Sequence, residues 1–112
     1  MKAGSLRHRI TIQQLTITQG TAGEVIEAWS DVATVYAAVE PLSGREYWQA
    51  QQVAAETSIR VSIRYRAGLE TTMRVIHDDR TLEILSIVDP EERHRELQLM
   101  CRELKATEAA AG

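Results

Sequence analysis

From position 59 to position 66 apolar and polar residues alternate without a break: Ile59, Val61, Ile63 and Tyr65 against Arg60, Ser62, Arg64 and Arg66. Successive side chains of a strand point to opposite faces, so this stretch predicts a half-buried strand with one apolar face and one face lined by guanidinium groups. The same period recurs along the chain. Across 6–15, Leu6, His8, Ile10, Ile12 and Gln14 share a face opposed by Arg7, Arg9, Thr11 and Gln13. A short extended piece at 25–29 follows, and then Ala33, Val35, Ala37 and Val39 alternate with Thr34, Tyr36, Ala38 and Glu40. Pro41 ends that run, because proline cannot donate to a ladder. Segments 73–77 and 81–88 flank Asp78 and Asp79 and predict a hairpin whose second arm carries Leu82, Ile84 and Val88 on one face. Leu97, Leu99 and Cys101 alternate within 95–104, which predicts a last strand even though good helix formers lie between them.

The breaks in this pattern are as informative. "TQGTAGE" at 18–24 reads as a loop in which Gly20 and Gly23 supply backbone freedom. With little to bury, the loop over 17–24 is expected to be mobile in the free chain and to order against a partner. At "PLSGREYWQAQQVAAE" the period changes. Ser43 and Glu46 have the spacing of a capping box, Leu42 and Tyr47 that of a hydrophobic staple, and Tyr47, Ala50, Val53 and Ala54 recur at helical intervals. This predicts the chain's helix. "RAGLE" and "DPEER" read as turns, the latter as a turn or one helical turn. The expected architecture is one mainly β domain over 1–105: a small antiparallel barrel or sandwich of about six strands with one short inserted α-helix. The tail 106–112, "ATEAAAG", has only alanine to bury and is expected to be disordered.

The size of the chain, 112 residues, fits a single core. Its formal net charge of −3 disfavours a dedicated nucleic-acid binder, so any role near DNA must rest on local charge. A single cysteine excludes an internal disulfide. The start lacks an apolar stretch of signal-peptide length, and no run approaches the length of a membrane span; a soluble, intracellular protein is expected.

Candidate chemistry is sparse. His8, His77 and His94 are far apart in sequence, and no zinc-binding, phosphate-loop, dinucleotide or nucleophile-elbow spacing occurs, which points to no catalytic residue, metal or cofactor. Asp78 and Asp79 read as solvated turn residues rather than a catalytic pair. Cys101 lies in an apolar alternation, where a thiol is inert. Tyr47 and Trp48 point in different directions around the helix, so one can be core while the other is exposed as an interface anchor. Arg60, Arg64 and Arg66 have two readings: a solvated face paired with acids across the strands, or a row facing a partner's carboxylates or a DNA backbone.

The order "LRHRITIQ", then "WSDVATVYAAVEPLSGREY", "AETSIRVSIRYR", "MRVI", "LEI" and "DPEERHRELQLMCRE" resembles the phage head-tail joining family, with "AAVEPLSGREY" the most specific part. The turn at Asp78 and Asp79 departs from the glycine-containing turn common in that family. The resemblance implies a non-enzymatic structural protein of a tailed phage or prophage, a β-barrel with a helix and long loops. It implies assembly as a ring between portal and tail that helps retain packaged DNA. Partners would then be copies of itself, a portal or adaptor protein and a tail-completion or tail-tube protein, with DNA passing through the channel without sequence recognition and no membrane. The location implied is the head-tail interface of the virion, and the host bacterial cytoplasm during assembly. On this reading Arg60, Arg64, Arg66, Trp48, Gly20 and Gly23 are the candidate partner interface, and the arginines face a neighbouring subunit. The competing reading is a small nucleic-acid-binding barrel that uses the arginine face and Trp48.

Overall fold

A computed structural model describes residues 6–105; the expectation of a disordered tail at 106–112 lies outside them. The chain forms strands β1 (His8–Gln19), β2 (Val25–Pro41), β3 (Ile59–Arg64), β4 (Arg74–His77), β5 (Arg80–Val88) and β6 (Glu96–Leu104), with helix α1 (Gly44–Val53) between β2 and β3. All pairings are antiparallel, and the order β1-β2-β3-β6-β5-β4 closes where Thr11, Ile12 and Gln13 meet Ile76, Val75 and Arg74. Of the two architectures expected, the sheet closes on itself rather than splitting into two layers.

The alternation dictates the interior. Ile10, Ile12, Ala37, Ile59, Val61, Ile63, Val75, Leu82, Ile84, Leu97, Leu99 and Cys101 are buried inside the closed sheet, with Met73 at its rim. Each fully buried Ile or Leu contributes about 1.5–3 kcal/mol of transfer free energy. On the outer wall of β5 and β6 Arg102 binds Glu83 at 2.7 Å, the cross-strand pairing that a solvated face favours, while at the strand ends, on the side of Leu82 and Cys101, Arg80 binds Glu103 at 2.8 Å.

Two bulges alter the expected faces. The pieces at 25–29 and 33–39 belong to one strand, β2, and Val32 is the extra residue between the pairs Ile12–Ala33 and Gln13–Asp31. The bulge reverses the phase, so Ala33, Val35 and Ala37 face inward while Val25, Glu27, Trp29 and Asp31 face outward. Leu85 is the extra residue of the second, between Ile84–Cys101 and Ser86–Met100. Val88 therefore lies outside with the solvent, not with Leu82 and Ile84 as the plain alternation suggests.

Two further expectations are corrected. β3 ends at Arg64, and Tyr65 leaves the inner face: its ring stacks at 4.6 Å on His94, and its N–H donates to the Arg95 carbonyl at 3.1 Å. Ser43 does stand at the helix N-cap, but its side chain makes no capping hydrogen bond. Gly44, the next residue, has φ +57, outside the right-handed region that a capping box requires, and the Glu46 carboxylate is taken by Arg60 instead.

Candidate functional site

The first two strands run well past the closed sheet. β4 flanks β1 only as far as Gln13, and β3 flanks β2 only from Ala37, so the pairs from Gln14–Ser30 to Gln19–Val25 form a free two-stranded arm. The molecule is correspondingly long, 49 × 26 × 25 Å. The expected loop over 17–24 is shorter than predicted: Ile17, Thr18 and Gln19 belong to β1, and the turn proper is Gly20 to Glu24. The Gly20 N–H donates to the Glu24 carbonyl at 2.8 Å and the Gly23 N–H to the Gly20 carbonyl at 3.0 Å. Gly23 has φ +86, a conformation that only glycine adopts without strain, and a Cβ on Gly20 would run into the Glu24 carboxylate.

The root of the arm is fastened to the wall. Gln13 donates to Asp31 at 2.9 Å and accepts from the Arg74 Nε at 2.9 Å, while the Arg74 guanidinium lies 4.1 Å above the Trp29 ring. Partial burial lowers the Arg74 pKa from its ordinary value. Beyond the root, one face of the arm carries Leu15, Ile17, Val25 and Glu27, and Ile26 lies on the other. Ile17 is 62% and Val25 68% exposed, unusual for β-branched aliphatic side chains on a regular ladder. From Ile10 to Gly44 the sequence holds Glu24, Glu27, Asp31 and Glu40 and no Lys or Arg, so the arm is acidic as well as apolar.

The arginines predicted as a row separate into two environments. Arg60 is engaged within its own chain, bound to Glu46 of α1 and 3.8 Å from Glu40 of β2. Arg64 and Arg66 are exposed, and no ion pair joins either of them to another of the described residues. They border a cavity of about 300 Å³ whose other walls are Leu6, Val35, Tyr36 and Tyr65. Tyr36 is itself exposed, and the Arg9 guanidinium stands 5.9 Å from its ring. Sequence reasoning found the arginines but missed Tyr36 as their neighbour, because β2 supplies it from across the sheet.

α1 lies outside the sheet and has no buried residue. Trp48 is exposed and Tyr47 half-buried, and instead of pointing apart their rings meet edge-on at 5.3 Å. Beneath the helix a groove of about 260 Å³ is lined by Leu42, Ala50, Val53, Arg60, Val88 and Met100, among others. Trp48 and the arginine-bordered cavity are thus separate features.

The fold does bring two of the distant histidines together, His8 edge-on to His77 at 4.9 Å. Among the described residues no group of three or more His, Cys, Asp or Glu side chains is placed to hold a metal ion, and no helix is long and apolar enough to cross a membrane. Cys101 is fully buried, and burial together with the nearby Glu83 charge pushes its thiol pKa up to about 12.

Comparison with known proteins places these features in context. The family model described as phage head completion protein matches residues 1–104. The head completion protein gp7 of Enterobacteria phage HK97 is 30% identical over 92 residues, which cover 80% of this chain and 82% of gp7. Among solved structures, the solution structure of protein SF1141 from Shigella flexneri 2a superposes with a TM-score of 0.78 at 33% identity, covering 95% of this chain and 99% of that one. A chain of the virion of a native gene transfer agent particle has the same fold, with a TM-score of 0.59 at 15% identity over 90% of this chain and 97% of its own. With a family match that runs through every described strand and a relative matched over most of both chains, the chain belongs to the phage head completion protein family.

Proposed function

We propose that this protein is a ring subunit between the portal and the tail of a phage or prophage particle, and that the ring helps to retain packaged DNA. The observation that carries the reading is the arm. A two-stranded ribbon that holds Ile17 and Val25 in water, outside a sheet already closed, gains nothing for the monomer from those side chains. Their burial has to come from contact with another molecule, which is how a protein that works by assembly rather than by catalysis is built. Family membership supplies the setting: the HK97 relative is named a head completion protein, and the more distant structural neighbour sits in a phage-like particle.

A ring subunit also fits the charge. A channel through which DNA passes should not hold it, because each phosphate contact strengthens binding in a salt-dependent way, and the chain carries a net charge of −3. The test is complementation of a phage deprived of its own head completion protein, followed by electron microscopy of the particles. Filled, tailed particles with this chain in ring density beneath the portal are expected. Particles that complete normally with the chain absent from that vertex overturn the reading. A parallel titration with duplex and single-stranded DNA at low and moderate salt should show only weak binding; tight, steeply salt-dependent binding by the free protein would favour the nucleic-acid-binding barrel.

A further inference from the structure

We infer that the arm of one copy docks on the Tyr36–Tyr65–Arg64–Arg66 surface of the next copy, so that the ring contact is head-to-tail; this rests on the ring reading above. Two independent complementarities select a second copy as the occupant. The first is chemical. The arm offers apolar Leu15, Ile17 and Val25 beside Glu27, and neither Glu27 nor the Glu24 carboxylate at the turn has an ion-pair partner among the described residues. The receiving surface offers a cavity of about 300 Å³ walled by Leu6, Val35, Tyr36 and Tyr65 beside Arg64 and Arg66, which also lack one. Arg60 and Arg102 on the outer wall, and Arg80 at the strand ends, are matched with glutamates of their own chain, while Arg9 and Arg74 lie against the Tyr36 and Trp29 rings. A surface that leaves cations next to exposed aromatics, and another that leaves carboxylates next to exposed aliphatics, each hold what the other lacks.

The second complementarity is geometric. Both surfaces lie on the β1–β2 ladder, the arm at one end and Tyr36, paired with Arg9, near the other. Ile17 and Arg9 are eight residues apart on one continuous strand, about 26 Å at ~3.3 Å per residue. The arm cannot fold back on its own cavity without unzipping the ladder, so the contact has to be made between molecules. Two different patches in contact make a heterologous interface, and a heterologous interface propagates until its rotation closes a ring. Arg60, held by α1, takes no part.

The test uses a full-length double variant, Val25→Cys with Tyr36→Cys. Within one molecule these positions lie far beyond the ~7 Å Cα separation that a disulfide can span, and Cys101 is buried. Oxidation at high protein concentration should give a ladder of dimers, trimers and larger species on a non-reducing gel, while either single variant stays monomeric. Charge reversal supplies the control for specificity. Glu27→Arg or Arg64→Glu alone should slow cross-linking about tenfold or more, and the combination of both in one chain should restore it; all of these positions are exposed, and circular dichroism checks that each variant is folded. Monomers only, arm-to-arm dimers from Val25→Cys alone, or failure of the combined reversal to restore cross-linking overturns the inference. The same oxidation in completed particles separates the two readings: particles that carry the chain but yield only cross-links to another protein overturn the arm contact and leave the ring in place.

Discussion

Arg60 of β3 and Glu46 of α1 are bound to each other across the gap between the sheet and the helix, with Glu40 of β2 as a second partner of the arginine at 3.8 Å. This ion pair matters more to the helix than to the fold. α1 buries no residue, so it is held by few contacts, of which this pair and the Gln51 Nε2 donation to the Thr57 carbonyl at 3.3 Å are two. Glu46 is more than half exposed, so solvent screening keeps the pair weak. Arg60→Ala should lower global stability by only about 0.2–1 kcal/mol yet speed amide exchange throughout α1. Exchange in the helix that is unchanged by Arg60→Ala would show that the helix is held by other means.

Ser43→Ala is expected to be nearly silent. An N-cap serine whose hydroxyl bonds a first-turn N–H is worth about 1 kcal/mol, but Ser43 makes no such bond because Gly44 turns the chain away at φ +57. Denaturant melts should show a change within about 0.5 kcal/mol. A loss near a full cap's worth would mean that the serine bonds the first turn in solution.

These two residues show where reading the sequence succeeds and where it stops. The S-x-x-E spacing marked the start of the helix correctly, because spacing reports which residues can lie near one another. It assigned the wrong partners, since Arg60 reaches Glu46 only once β3 is packed beside the helix. The strands were legible for the same reason that they form: Ile59, Val61 and Ile63 alternate, and alternation is what a pleated wall around one core demands. The bulges at Val32 and Leu85 were not legible as bulges. One extra residue leaves only a phase slip, which read as a gap between two short strands in one case and passed unnoticed in the other, where it moved Val88 to the outside. The arm was hidden in the same way: Thr18 and Gln19 read as the start of the loop, and only their pairing with Ile26 and Val25 makes them part of a ribbon.

Opposite faces of β3 should respond oppositely to truncation. Ile63 is 1% exposed and touches the centre of the core, so Ile63→Ala should destabilise by about 2–5 kcal/mol. Arg64, one residue on and exposed, should change monomer stability by about 0.5 kcal/mol or less when replaced by Ala. Urea melts of the two variants measure both. Equal losses would contradict the assignment of the two faces.

Cys101 gives the chain a pH dependence with a defined sign. Burial, with the Glu83 charge second, raises the thiol from an ordinary value near 9.0 to about 12 in the folded state. A group whose folded pKa is raised contributes its full stability below the unfolded pKa and loses it as pH rises toward the folded value. Between pH 9 and 12 the difference in stability between the native chain and Cys101→Val should therefore change by up to about 1.4 kcal/mol per pH unit, in favour of the variant. Subtracting the variant cancels the contributions of every group the two chains share. In the folded chain at pH 8 the thiol should react with a disulfide reagent only at the rate of unfolding; rapid labelling would place Cys101 at the surface.

The arm should be the softest part of the described sheet, but not uniformly so. A two-stranded ribbon without further neighbours is marginal in water, whereas its root is pinned by Gln13 to Asp31 and by Arg74 to both Gln13 and Trp29. Amide exchange in the free chain should therefore be fastest at the turn from Gly20 to Glu24, intermediate in the rest of the arm, and slowest where β3 lies between β2 and β6. Arg74→Ala should raise exchange along both strands of the arm and leave the β3–β6 amides as they were, because it releases the ribbon without opening the core. Gly23→Ala should act at the other end: a Cβ at φ +86 costs about 1–2 kcal/mol, which frays the turn toward Ile17 and Glu27. Arm amides as slow as those of β3 in the native chain would show a ribbon rigid on its own, and would remove the reason to expect that contact with another molecule orders it.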